Sequence, residues 1–301
     1  KNKKKNINLV NLENHYFINN PSRFITSLNS IFKLIPLLKT CKKDSSIFLS
    51  FQSHILPIII CKIFSQKIII RNSEDPHDAT KYADNKLSAV ITLLFKFIFY
   101  RFADGIITNS RKSKQSLQKI VKNEIQLIFN PYLKKLNNNN QQKRKNVILS
   151  VGRLCKQKNQ IIIIKAFKIF LQKFPNYKLV LIGHGNYLKK LKNLVMDLNI
   201  KNDVKFLGWI KNTKKHYLSS KMFVFPSLYE GLPNALIDSI NYNLPPISSK
   251  CSGAEDILGI SYNNFVSRYN YKQLSNKMVN VINNYSKSFL KLKKIKKNLD
   301  R

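Results

Sequence analysis

The residues of this chain best suited to chemistry are gathered in Ser227–Asp238, SLYEGLPNALID. They follow an apolar run, Lys221-Met-Phe-Val-Phe225, that reads as a buried strand entering a turn. Gly231 relaxes the backbone, Leu232 fills the turn, Pro233 suits the first helical position, and Ala235-Leu-Ile237 continues a helix. A strand, a glycine-containing turn and a helix N-terminus make an anion pocket from backbone N–H groups and the helix dipole. Glu230 stands at its lip, and Asn234 and Asp238, four apart, share the helix face one turn further in. A carboxylate beside an anion pocket is what a sugar bound through a phosphate requires.

A second segment supplies positive charge. VGRLCKQKN, Val151 to Asn159, follows the apolar strand Asn146-Val-Ile-Leu-Ser150 and precedes the helical pattern Gln160–Lys173. Gly152, Arg153 and Lys158 therefore fall in a strand-to-helix loop, where open α/β folds place ligand groups. Two cations facing a helix N-terminus across a cleft would hold a diphosphate. Taken alone, the pair reads equally well as solvated loop charges; the companion segment tips the balance.

These loops need elements to position them. From Asn146 onward strands and helices alternate, with strands expected at 147–151, 178–182, 204–207 and 222–225 and helices at 160–173, 186–198 and 233–242. Alternation of that kind predicts an α/β fold with a parallel sheet covered on both faces. Residues 1–133 read as an upstream unit, 134–145 as a polar linker containing Asn137–Asn140, 146–283 as a second unit, and 284–301 as a basic helix or frayed tail. The apolar run Leu87–Ala103, interrupted by Lys96 and Arg101, is too short to span a bilayer and reads as a helix packed on a sheet.

Composition narrows the classes. With 301 residues and 44% hydrophobic content the chain can bury two cores. Four cysteines, Cys41, Cys61, Cys155 and Cys251, have neither metal nor disulfide spacing and fit a reducing, cytoplasmic setting. No signal peptide is visible. The net charge of +38 is carried almost wholly by lysine, with only eight arginines, which argues against nucleic acid as partner. A codon bias toward Lys, Asn and Ile accounts for much of the excess; attraction to the inner face of an anionic membrane ranks second.

The motifs, in order, resemble a family 4 (group 1) glycosyltransferase of the GT-B fold. They are Gly152-Arg153-Leu154 with Lys158, Gly183 and Gly185 in LVLIGHGN, and Phe206-Leu207-Gly208-Trp209. Pro226-Ser227, Glu230-Gly231, Pro233-Asn234, Pro245 and Ser252–Leu258 complete the set, which covers about Asn146 to about Val281. The resemblance implies two Rossmann-like parallel-sheet domains facing a cleft. It implies that Arg153 and Lys158 bind the donor diphosphate and that Glu230, the first acid of a Glu-seven residues-Glu motif, positions the transferred sugar. The second acid, a ribose acceptor, is Asp238 here, one methylene shorter; Asp256 likewise stands where Glu is usual. The implied reaction is retaining transfer from a nucleotide-diphosphate-sugar, a co-substrate and not a cofactor, to a glycan or lipid-linked acceptor in surface polysaccharide synthesis. Charge on the leaving group is compensated by Arg153, Lys158 and the helix start, with no metal; no Asp-x-Asp pair occurs in the sequence.

Upstream the match is fainter. Ile68–Ile70 with Arg71-Asn72 resembles a strand and loop bordering the acceptor cleft, and Tyr100–Asp104 with Ile106–Ser110 the approach to a later strand. Arg71, Glu74 and His77 are acceptor-side candidates, with a solvated loop the competing reading for the last two. His184 is expected to shape the cleft wall; His15, His54 and His216 carry no signal. The chain opens on Lys1-Asn-Lys-Lys-Lys5 and has no glycine before Gly105, so the family's opening strand and Gly-rich loop are expected to be missing and the first domain incomplete. A catalytically incomplete protein that binds nucleotide or an anionic surface is the alternative.

Overall fold

The computed structural model describes residues 35–36, 38–40, 46–51, 53–130 and 144–299. Lys1–Lys5 and linker positions 134–143 lie outside them.

Two parallel sheets organise the chain. The first holds β1 (Ile47–Ser50), β2 (Lys67–Asn72), β3 (Gly105–Thr108) and β4 (Ile125–Leu127) in that spatial order. The second holds β5 (Val147–Val151), β6 (Lys178–Ile182), β7 (Val204–Phe206), β8 (Met222–Phe225), β9 (Pro246–Ser249) and β10 (Phe265–Val266), ordered β10-β9-β8-β5-β6-β7. Every pairing is parallel, so the connections are crossovers, mostly helical, and the loops at the strands' C-terminal ends share one edge of each sheet.

The second sheet is buried on both faces. Ile148, Leu179, Leu181, Val224 and Ile247 feed one core with the helices Gln160–Leu171, Leu188–Asp197 and Tyr271–Asn283. Leu149, Val180, Ile182, Phe223 and Phe225 point the other way, to the helices Asn234–Asn241 and Ser252–Leu258. Burial on both faces is why these strands read as continuous apolar runs. β9, Pro-Ile-Ser-Ser, is wholly buried with only one large apolar residue, and no run announced it. In the first sheet a single core, with Ile68, Ile70, Ile106 and Ile125, covers one face; on the other Leu49 is exposed and Ile69 and Ile107 are half-buried.

Three expectations need correction. Leu87–Ala103 supplies a helix, Lys86–Phe99, but none of its residues is buried, so it is not packed on a sheet by its apolar side. Its hydropathy reports composition, not the direction it faces. Arg71 and Asn72 complete β2 and are not loop, because each pairs with β3, opposite Ile107 and Thr108. Pro233 is the N-cap and Asn234 the first helical residue; the Pro233 carbonyl accepts from the N–H groups of Leu236 and Ile237, which is the N-cap's role. The terminal segment is helical over Tyr285–Leu299, with Leu292 buried against the second core.

Arg144, at the entry to the second sheet, donates to four carbonyls: Tyr217, Ser220, Tyr242 and Asn243. It thereby closes the C-terminal ends of the helices Lys214–Ser219 and Asn234–Asn241, where helix dipoles favour a cation. Burial holds its guanidinium below the ordinary arginine value.

Candidate active site

The strand order turns at β5, which has β6 on one side and β8 on the other. Ligands of open α/β sheets sit at such a reversal, outside the strands' C-terminal ends. Ile148 pairs with Met222 and Leu149 with Phe223, so the loops leaving β5 and β8 emerge side by side. Those are the two segments the sequence singled out.

The β5 loop is shaped by close backbone approaches. A Cβ on Gly183 would stand 2.0 Å from the Gly152 carbonyl oxygen, and one on Gly185 would stand 2.2 Å from that of Leu154. Only glycine lets these strand ends lie so near one another. A short 3-10 turn, Lys156–Lys158, ends at Asn159, a non-glycine residue in the left-handed region (φ 56°). The Asn159 amide donates to the carbonyls of Pro226 and Arg268, which pins the turn to the β8 loop and to the segment after β10.

The charged groups converge across this junction. Lys158 Nζ donates to Glu230 Oε1 at 2.5 Å, and the two side chains are only 16% and 11% exposed. The ammonium also lies 5.0 Å from the Phe225 ring centroid. Arg153 is exposed and donates to Gln157 Oε1 at 3.1 Å; Gln157 donates to the Tyr229 carbonyl at 2.9 Å, and its own carbonyl accepts from Leu228 N. Arg153 is thus tethered to the residue preceding Glu230. Beneath the pair lies Cys251, whose thiol burial pushes up to about 12, with Glu230 adding to the rise. The helix Asn234–Asn241 starts from Pro233 without a side-chain cap or an acidic residue in its first turn, which leaves its N-terminal amides suited to an anion.

The first half closes over this site at Gly231. A Cβ on Gly231 would meet the Ser73 carbonyl at 2.0 Å and Asn109 Oδ1 at 2.6 Å; a Cβ on Gly253 would meet the Gly231 carbonyl at 2.0 Å. Arg71 donates to Ser73 Oγ and to Asn130 Oδ1, and Asn130 donates to Asn234 Oδ1 at 2.8 Å, so this acceptor-side candidate reaches the start of the donor helix. Glu74 pairs with Lys96 at 3.3 Å. It lies within electrostatic reach of Tyr229, whose hydroxyl is raised to about 12 by burial first and Glu74 next. His77 is on the helix Pro76–Lys81 and exposed.

Other candidates stand apart. Asp238, on the helix Asn234–Asn241, lies by Tyr217 and Tyr242, raising both hydroxyls after burial has done so. Trp209 is 74% exposed. His184 is exposed, and its carbonyl accepts from Leu154 N. Asp256 accepts from the Arg111 backbone N–H at 2.9 Å; burial raises its carboxyl and Arg111 opposes the rise.

Four residues escaped sequence reasoning. Asp75, fully buried, caps Asp78 N and accepts from Ser116 and from Ser252 of the other half. Asp78 accepts from Lys112 at 2.8 Å and from Arg268 at 3.4 Å, and Arg268 also donates to Tyr82 and to the Lys250 carbonyl. Asn109 is 2% exposed with Oδ1 unpaired among the described residues, beside Gly231. Asp75-Pro76 is a helix-start signal; nothing local marks Asn109 or Arg268.

Comparison with known proteins places this arrangement. The model of the family Glycosyl transferases group 1 matches residues 133–299. An uncharacterized glycosyltransferase of Methanocaldococcus jannaschii is 34% identical over 253 residues, which are 77% of this chain and 62% of that protein. A Campylobacter jejuni alpha-1,4-N-acetyl-D-galactosaminyltransferase, named for a diNAcBac-PP-undecaprenol-linked acceptor, is 27% identical over 84% of this chain and 68% of its own length. Among solved structures, Anabaena Alr3699/HepE in complex with UDP-glucose superposes with a TM-score of 0.70 at 17% identity, covering 93% of this chain and 79% of that one.

Proposed function

The chain belongs to the group 1 glycosyl transferases, and from that premise we propose that it is a family 4 enzyme. On this reading it moves a sugar, with retention of anomeric configuration, from a nucleotide-diphosphate-sugar to a hydroxyl of a glycan or lipid-linked acceptor. Its fold is GT-B, two Rossmann-like parallel-sheet domains facing a cleft. The setting is cytoplasmic synthesis of a cell-surface polysaccharide at the inner face of a membrane. The observation that carries this is the Lys158–Glu230 contact beside Arg153, at the reversal of strand order and next to an uncapped helix start.

In the proposed step the bond between the anomeric carbon and the diphosphate oxygen breaks, and the acceptor oxygen bonds to that carbon on the same face. The acceptor proton passes to the departing phosphate, which leaves as nucleoside diphosphate. Arg153, Lys158 and the amides after Pro233 compensate its growing charge, so metal is not required for that task. Glu230 orients Lys158 and the sugar; Asp238 serves the ribose. No cofactor enters beyond the co-substrate. The complex of the Anabaena protein with UDP-glucose and the lipid-linked acceptor in the Campylobacter name support this donor and acceptor class.

A second reading, nucleotide binding without turnover, is favoured by one observation. Among the described residues only one face of the first sheet carries a packed core. Titration with UDP and GDP, together with nucleotide release from their sugars, decides between the readings. Arg153→Ala should weaken nucleotide binding roughly 10- to 100-fold by loss of a charge-assisted contact. Glu230→Ala should abolish release while sparing affinity. Affinity indifferent to Arg153 overturns the phosphate role; binding without release in the parent chain selects the second reading.

A further inference from the structure

Glu74 is a carboxylate that the fold holds in place and leaves open. Lys96 Nζ lies 3.3 Å from its Oε1; the lysine side chain is only 12% exposed, while that of Glu74 remains 46% exposed. The Asn72 amide donates to the Glu74 carbonyl, which fixes the backbone as well. A charge oriented by a withdrawn lysine, yet still reached by water, is preorganised for a ligand.

An aromatic residue stands across the seam from it. Ser73 precedes Glu74, and its carbonyl is what a Cβ on Gly231 would strike at 2.0 Å, so Glu74 lies opposite the turn Tyr229-Glu230-Gly231. Tyr229 is half-buried, and its carbonyl accepts from Gln157 Nε2 at 2.9 Å. Burial first and Glu74 next raise its hydroxyl to about 12; Cys155, Arg153 and Glu230 act on it more weakly, so the phenol stands between groups of both walls. Lys156 closes the flank, donating to the Ala83 carbonyl of the first half at 2.9 Å.

These two side chains together suit a sugar ring. A pyranose has an apolar face of C–H bonds that packs on an aromatic ring, and neighbouring hydroxyls that a carboxylate accepts as a pair through its two oxygens. Charge selects further. Glu74 and Glu230 both act on Tyr229, so a uronate or a phosphorylated sugar would meet like charge there. Lys96 is committed to Glu74 and, on the reading above, Arg153 to the diphosphate.

We propose that Tyr229 and Glu74 form the acceptor subsite, that it takes a neutral sugar with two adjacent free hydroxyls, and that Lys96 positions the Glu74 carboxylate. The proposal rests on the transferase reading and adds the class of acceptor. Tyr229 is bonded to Glu230, so a ring held here lies beside the sugar that Glu230 orients.

The test is saturation-transfer NMR on the full chain, with and without UDP, using methyl glycosides of glucose, galactose and N-acetylgalactosamine as probes and methyl glucuronide as the anionic control. At least one neutral glycoside should bind, and the glucuronide at least tenfold more weakly. Glu74→Gln and Tyr229→Ala should each weaken the neutral glycoside about tenfold. Lys96→Met should weaken it severalfold and Lys96→Arg should recover it, while UDP titration of each variant follows the parent. Absence of any neutral binding, equal binding of the glucuronide, or variants that bind as the parent does would overturn the proposal. So would loss of UDP affinity in both Glu74→Gln and Tyr229→Ala, which would make the two residues structural. Glycoside binding by a parent with no UDP affinity would instead sink the transferase reading and leave the subsite standing.

Discussion

Lys158 Nζ and Glu230 Oε1 meet at 2.5 Å across 72 positions of sequence, and the contact joins the loops after β5 and β8. The pair is largely withdrawn from water, so each charge depends on the other. Lys158→Met should therefore destabilise the second half by about 3 kcal/mol, because it strands a buried carboxylate. The double variant Lys158→Met/Glu230→Gln should recover part of that loss. Urea unfolding of the four proteins measures the coupling; single effects that add to within ~0.5 kcal/mol would mean that the contact contributes nothing of its own.

Gly231→Ala tests the seam between the two halves. The added methyl would land 2.0 Å from the Ser73 carbonyl, which is backbone and cannot rotate away. The halves must separate, so nucleotide release should fall at least tenfold while the melting temperature of the second half changes little. A variant as active as its parent, with an unchanged scattering profile, would show that the close approach is not needed.

Asp78 and Arg268 form a contact between the halves that sequence spacing could not reveal, being 190 positions apart. Arg268→Ala removes donors to Asp78, Tyr82 and the Lys250 carbonyl together. Expected are a larger radius of gyration and weaker UDP binding by several-fold. Arg268→Lys should restore little, since one ammonium cannot reproduce the guanidinium's fork. An unchanged radius with unchanged affinity would reduce this contact to a surface ion pair.

His54 gives the protein an acid-sensitive point. Its ring accepts or donates at Ser50 Oγ, 2.8 Å away, and packs edge-on to Tyr100. Burial first and Lys96 next lower it from 6.5 to about 4, so the folded form keeps it neutral. The unfolded chain takes up the proton first. Stability from this group is full above pH 6.5 and is lost as pH falls toward 4, by about 3 kcal/mol at most. His54→Gln should flatten the fall in unfolding free energy between pH 6.5 and 4; an identical slope would place the sensitivity elsewhere.

The donor half was legible because its strands are buried on both faces. Val147–Val151 and Met222–Phe225 are apolar runs that turn signals bound on either side, and the loops after them inherit the strands' adjacency. The first half gave less. Its described core packs on one face of the sheet, and Arg71 at the end of β2 looks like loop when pairing with β3 is unseen. Lys86–Phe99 was recognisable as a helix from composition alone, but which side faces the protein depends on its packing against the helices Ile55–Ile63 and Pro76–Lys81. Arg268 lacked any signal because its partner, Asp78, comes from the opposite half; Asp75-Pro76 signals a helix start but not the bond that Asp75 accepts from Ser252.

Asn159 bends where few side chains would tolerate it, and its amide staples the Arg268 backbone to the turn that ends in Lys158. Movement of one half against the other thus has a short mechanical lever to the ammonium. A glycine at this position would keep the bend and cut the lever, leaving a protein whose hinge and whose grip no longer speak to each other.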